Sequence, residues 1–195
     1  MCFEPTARPP APPRSGFLAG SERISLTAGD GNVIPARLAT TTEDGGPGVV
    51  VLPDVRGLHA YYEALADEFA GAGIHALAID LFGRTAGPNY RDEGFDYGPH
   101  RAAANDAGVR ADALAARERL AAAGCERIFA LGFCFGGRGA FMQASQPGVA
   151  GAVGFYGWPA RAEEGGMSPI DEARDGLVRA PVLALYGGAD ENITE

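Results

Sequence analysis

The sequence predicts an α/β domain whose central sheet is mostly parallel and covered by helices on both faces. Short apolar runs alternate with helix-like segments along most of the chain, the pattern of a sheet buried on both sides. At 195 residues with 46% hydrophobic content, the chain is long enough to bury a substantial core and fits one domain better than two.

Taken in order, residues 5–13 carry prolines at 5, 9, 10, 12 and 13 with almost nothing apolar to bury. An extended, mobile arm is expected over 1–20, ahead of a single domain over 21–195. Ile24–Thr27 and Val33–Leu38 read as β-strands, and Gly29-Asp30-Gly31-Asn32 between them is a hairpin signal. Val49–Leu52 is the next strand, followed by a helical face through Tyr62, Leu65, Ala66 and Phe69 that ends at Gly71 or Gly73. His75–Ile79 is again a strand, and a Gly/Pro-rich loop is expected over 83–99. An alanine-rich helix over 103–123 stops at Gly124, a good C-terminal cap. Strand Arg127–Leu131 and a helix over 137–146, stopped by Pro147, come next. The apolar runs Ala152–Tyr156 and Val182–Tyr186 read as buried strands.

Electrostatics narrow the partners. A formal net charge of −9, from 25 acidic and 16 basic residues, argues against nucleic acid and anionic membrane. Cys2, Cys125 and Cys134 are an odd number without metal-ligand spacing, which suits a reducing compartment and supports neither zinc nor iron-sulfur binding. No stretch approaches the ~18 apolar residues that span a bilayer, and no leader pattern opens the chain, so a soluble cytoplasmic protein is expected.

Chemistry concentrates at Gly132-Phe133-Cys134-Phe135-Gly136-Gly137, between a strand and a helix. A nucleophile elbow places its reactive residue on such a tight turn, with small residues on either side so that the backbone can make it. Here cysteine stands where serine usually does. The following helix directs its free N–H groups at the sulfur and favours the thiolate. The same pattern also admits a plain reading, in which Cys134 is a small buried hydrophobe and the glycines serve close packing.

Loops leaving the carboxyl ends of parallel strands form the ligand crevice in such sheets. Pro53–Gly57, Asp80–Arg84, the Cys134 elbow and Gly187–Asp190 are expected to converge there. Asp190 is placed to orient a catalytic base, although Gly-Gly-Ala-Asp also suits an ordinary turn. The backbone N–H groups of Phe135 and Val55 are the expected oxyanion donors. None of the three histidines follows Cys134. His75 opens a strand at the far end of the sheet, whereas His59, near the rim, and His100, in the long loop, are candidates for a substitute base. Arg84 is a candidate for binding an anionic substrate group, with surface pairing as the alternative. The rings of Phe82, Phe133, Phe135, Tyr156 and Trp158 either line a pocket for a small acyl group or pack in the core.

Together, Gly-Phe-Cys-Phe-Gly-Gly, Pro-Asp-Val-Arg-Gly, Ile-Asp-Leu-Phe-Gly-Arg and Gly-Gly-Ala-Asp resemble the dienelactone hydrolases, from about residue 22 onward. The resemblance implies the α/β-hydrolase fold and hydrolysis of a lactone or small ester through a cysteine, histidine, aspartate triad, without metal or cofactor. It makes Cys134 the nucleophile, Asp190 the acid, and Asp54 the counterpart of an acidic residue that contacts the thiol. Arg84, Arg91 and Arg101 all remain open as counterparts of arginines that grip a substrate carboxylate. The family's histidine lies beyond the acid, after one more strand and before a last helix. The resemblance therefore implies a member shortened at its C-terminus, lacking that strand and helix, inactive or slow in the second chemical step, and prone to self-association through an uncovered sheet edge. The alternatives are a non-catalytic binding or assembly module of the same fold and, more remotely, a thiol redox sensor.

Overall fold

The structure is a computed structural model that describes residues 4, 6–13, 16–42, 45–92, 94–190 and 193. Cys2, Pro5 of the proline-rich arm and four of the five residues after Asp190 lie outside the described residues. Among the described residues, seven strands form one sheet in the order β1-β2-β4-β3-β5-β6-β7. The first two, β1 (Leu18–Thr27) and β2 (Val33–Thr41), form an antiparallel hairpin with Leu26 opposite Ile34. Its turn closes through Ala28 N–H to Asn32 O at 2.9 Å, with Gly31 at φ 86°. Next, β2 pairs antiparallel with β4 (His75–Ile79). All remaining pairs are parallel, linking β4 to β3 (Gly48–Leu52), β5 (Ile128–Phe133), β6 (Val149–Phe155) and β7 (Val182–Leu185).

Alternation along the strands sorts the core into two layers. Val49 and Val51 of β3 and Ala76 and Ala78 of β4 face α1 (Ala60–Gly71), which buries Tyr62, Ala66 and Ala70 against them. Val50, Leu52, Leu77 and Ile79 face the other way. They belong to a cluster with Val109, Ala113, Ala116 and Leu120 of α4 (Asp106–Ala122) and Ala140 of α5 (Phe135–Gln143). Helices thus cover both faces. No helix among the described residues is long and apolar enough to cross a membrane.

Several boundaries differ from expectation, each for a local reason. Strand β1 begins at Leu18, ahead of its apolar stretch, because its polar side chains are tied to α1: the Ser21 hydroxyl to Asp67, and Arg23 to Glu63 at 2.7 Å. The expected loop over 83–99 contains α2 (Gly83–Ala86) and the start of α3 (Tyr97–Ala103), which Asp96 caps by accepting the Gly98 N–H. Asn105 accepts the Gly108 N–H and starts α4 afresh, which divides the alanine-rich run. Helix α5 stops at Gln143, not 146, because the Ala144 carbonyl accepts both Arg179 and Ala180 N–H groups. An unexpected α6 (Pro169–Arg174) carries a capping box between Ser168 and Asp171, with proline in its first turn. Finally, β7 is exposed along its whole length instead of buried, since it pairs only with β6 at the sheet edge.

Candidate active site

The elbow is set by contacts too close for any side chain. A Cβ on Gly132 would lie 1.9 Å from Gly136 O, and one on Gly136 would lie 2.1 Å from Leu52 O. The backbone between them turns through Cys134 at φ 53° and ψ −114°. Such a conformation costs a non-glycine residue ~1–3 kcal/mol and persists only where its surroundings enforce it. Here Cys134 N–H donates to Phe155 O at 2.9 Å, and Cys134 O accepts Arg138 N–H at 3.1 Å. Cys134 is therefore the N-cap of α5, where the helix field favours negative charge.

Across from the elbow, the loop after β3 is pinned at successive atoms. Asp54 N–H donates to Tyr62 Oη at 3.1 Å, Asp54 O accepts Gly57 N–H at 3.1 Å, and Leu58 N–H donates to Asp80 Oδ2 at 3.0 Å. Burial, reinforced by Asp54, drives the Tyr62 phenol far above its usual range. The fully buried Asp54 carboxylate accepts the Arg56 N–H at 2.9 Å and the Arg56 guanidinium at 2.5 Å. In turn, Asp80 pairs with Arg91 at 2.9 Å, both side chains almost wholly buried.

Cys134, Phe135, Val55 and Asp190 come together around one cavity of about 240 Å³, with Tyr156 and Trp158 forming further walls. That is below the ~300–1,000 Å³ of pockets for drug-sized ligands. Asp190 stands in a turn after β7, its N–H bonded to Gly187 O at 3.1 Å, so it is a turn residue and a cavity residue at once. Of the rings, Phe135, Tyr156 and Trp158 reach the cavity, whereas Phe82 and Phe133 are buried in the core.

No histidine is among the described residues that line this cavity. His59 caps α1, with Nδ1 accepting the Tyr61 N–H at 3.4 Å, and lines a neighbouring cavity of about 330 Å³ with Arg56 and Phe95. Burial and then the Arg56 guanidinium lower its imidazole from 6.5, while Asp54 and Glu63 act the other way. His100 is on α3, stacked on Phe95 at 5.2 Å, and not in a loop. His75 is buried at the start of β4, beside the start of β3, at the end of the sheet away from the elbow.

The arginines also separate. Arg84 is clamped between Asp30 at 2.5 Å and Asp112 at 2.7 Å, joining the hairpin turn to α4, and does not line the Cys134 cavity. Arg91 is spent on Asp80. Of the three arginines left open by the sequence, Arg101 alone lines the cavity. Arg138 and Arg161 join it. Buried Arg138 grips Asp106 through both terminal nitrogens, at 2.5 and 2.8 Å, and donates from Nε to Arg161 O at 2.8 Å. Asp106 N–H in turn donates to Glu163 at 2.7 Å, and burial and then Asp106 raise that carboxyl. Arg138 lies one helical turn beyond Cys134, a spacing that could have marked it in the sequence. Arg161 and Ile193, which also lines the cavity, carry no such signal. Among the described residues no group of three or more His, Cys, Asp or Glu side chains could hold a metal ion.

Comparison with known proteins decides the lineage of this arrangement. A profile described as "Dienelactone hydrolase family" matches residues 34–195. The chain belongs to the dienelactone hydrolase family. A relative in Methylorubrum extorquens, named "Putative carboxymethylenebutenolidase", is 32% identical over 193 residues, covering 92% of this chain and 62% of the relative. One of the same name in Escherichia coli K12 is 29% identical, covering 99% and 74%. Among solved structures, a "Putative Dienelactone Hydrolase" from Klebsiella pneumoniae superposes with a TM-score of 0.76 at 30% identity, covering 89% of this chain and 74% of that one. The chain thus spans under two thirds of the Methylorubrum relative's length and about three quarters of the other two. The seven-stranded α/β sheet matches that of the dienelactone hydrolase structure.

Proposed function

We propose that the protein is a carboxylic ester hydrolase of the dienelactone hydrolase type, acting on a lactone or small ester through a thioester on Cys134. The strained Cys134 at the N-cap of α5, facing a small cavity, is the observation that carries this reading. Sγ attacks the carbonyl carbon, and the oxyanion is held by the N–H groups of Phe135 and Val55. Collapse breaks the acyl C–O bond and leaves a thioester. The thiol proton passes to the departing alkoxide, which remains tethered to the acyl group when the substrate is a lactone. Water then attacks the thioester carbon, breaking the C–S bond and returning a proton to Sγ; Asp190 is placed to orient a base for this step.

The cavity's described lining contains no imidazole, so we propose that these 195 residues acylate readily and deacylate slowly. Arg101 supports recognition of an anionic substrate group better than Arg84 does, because Arg84 is held by two aspartates. Asp54 contacts the thiol only where the thiol competes with Arg56 for its carboxylate. A cytoplasmic setting and self-association through the exposed β7 complete the reading.

Mixing the protein with p-nitrophenyl acetate tests it. The expected result is a burst of about one nitrophenolate per chain and an acetyl adduct on Cys134, both lost in Cys134→Ala. A protein that neither bursts nor turns over is the non-catalytic module instead.

A further inference from the structure

Cys134 and Tyr156 are the two non-glycine residues with positive φ among the described residues, at 53° and 40°, and both line the same cavity. Backbone strain of this kind persists where the surroundings over-determine it and the side chain it presents is used. The strand-end peptide between Phe155 and Tyr156 is held from both sides. Its carbonyl accepts Cys134 N–H at 2.9 Å, and its N–H donates to Leu185 O at 2.8 Å. One peptide group therefore joins the elbow to β7, the strand that leads to Asp190.

The next residue is equally constrained. A Cβ on Gly157 would lie 2.4 Å from Arg138 N, and Gly157 O accepts the Tyr186 hydroxyl at 3.0 Å. Glycine at position 156 would make the same turn without strain. Tyrosine there instead places a large half-buried side chain, packed against the cluster that holds Tyr62 and Phe133, in the wall of a cavity of only about 240 Å³ that Cys134 and Val55 also line.

We infer that Tyr156 is the residue that limits the size of the acyl group admitted to Cys134, its side chain forming part of the cavity wall. This rests on Cys134 as the reactive thiol, so the test reads thiol chemistry and needs no turnover. Rates of Cys134 labelling by iodoacetamide and by the bulkier N-phenyl iodoacetamide are compared in the wild type, Tyr156→Phe and Tyr156→Gly, with Cys134→Ala as the blank for other thiols. Tyr156→Asn, whose side chain tolerates positive φ, is read in the same way, so the test does not depend on the glycine variant folding.

In the wild type and Tyr156→Phe the small reagent is expected to react at least ten times faster than the bulky one. Tyr156→Gly and Tyr156→Asn are expected to raise the bulky reagent's rate about tenfold while leaving the small reagent's within about threefold. A reagent ratio unchanged in both variants would overturn the role of Tyr156 and leave Cys134 as the nucleophile. If neither reagent labels Cys134 in the wild type or in any Tyr156 variant, both the role of Tyr156 and that of Cys134 are overturned.

Discussion

At the scale of single residues, the elbow glycines and the capping histidine carry the sharpest consequences. Gly136→Ala would drive a Cβ to 2.1 Å from Leu52 O, a backbone atom that cannot swing aside. Separation of α5 from β3 is the expected result, with a stability loss at or above the ~1–3 kcal/mol typical of overpacking, read by urea denaturation. His59 acts through protonation. Its imidazole is lowered from 6.5 by burial and by Arg56, so below pH 6.5 the unfolded chain binds a proton that the folded chain resists. Stability from this source is complete above pH 6.5 and falls as pH drops from there toward the folded value. His59→Asn keeps a capping side chain and removes the titration, so its melting temperature should decline less between pH 6.5 and 5 than that of the wild type. Parallel melting curves for the two proteins over that range would remove His59 from the account.

Between elements, buried charge matters more than surface charge. The Asp80–Arg91 pair fixes the end of β4 against the segment that follows α2, and Asp80 also accepts the Leu58 and Phe82 N–H groups. Arg91→Met leaves a buried carboxylate uncompensated and should cost about 3 kcal/mol, whereas Arg91→Met with Asp80→Asn should recover part of the loss. Chemical denaturation of both variants measures it. Arginine pairs of this kind also mark the limit of what the sequence shows. Strands β3 and β4 were legible because they are buried throughout and read as unbroken apolar runs. The early residues of β1 were not, because a hydrogen bond from Ser21 to Asp67 and the Arg23–Glu63 ion pair tie them to α1 in place of apolar burial. Cys134, Val55, Phe135 and Asp190 were legible as strand-end residues of an α/β sheet and do share a cavity. Arg84 takes the alternative of surface pairing: Asp30 and Asp112 hold it, and because both are distant in sequence, which acids would do so was not legible beforehand. Helix α6 was overlooked although Ser168, Pro169 and Asp171 spell a start signal, because six residues carry too little periodicity to be seen.

For the whole molecule, β7 forms an exposed edge of the sheet. Leu183 is 54% exposed and Tyr186 41%, beside a groove of about 400 Å³ lined by Phe141, Val182 and Ala184. Exposed apolar edges favour pairing with further chains. Sedimentation at increasing concentration should show self-association that Leu183→Lys weakens, and a monomer at all concentrations would remove the proposal. Sheet order has a consequence in time as well. The hairpin β1–β2 joins neighbours along the chain, but the centre of the sheet pairs Gly48 with Ile128 and Ile128 with Val149. Local pairings form quickly and distant ones wait on loop closure. Pulse-labelled hydrogen exchange during refolding should therefore protect hairpin amides before those of β3 and β5. As a chain grows from its N-terminus, one edge of β3 stays open until β5 has been made, and the turn at Cys134 has no Phe155 carbonyl to hold it until β6 follows. The strained turn at Cys134 thus has to wait for a strand made after it and cannot be held by the elbow's own sequence alone.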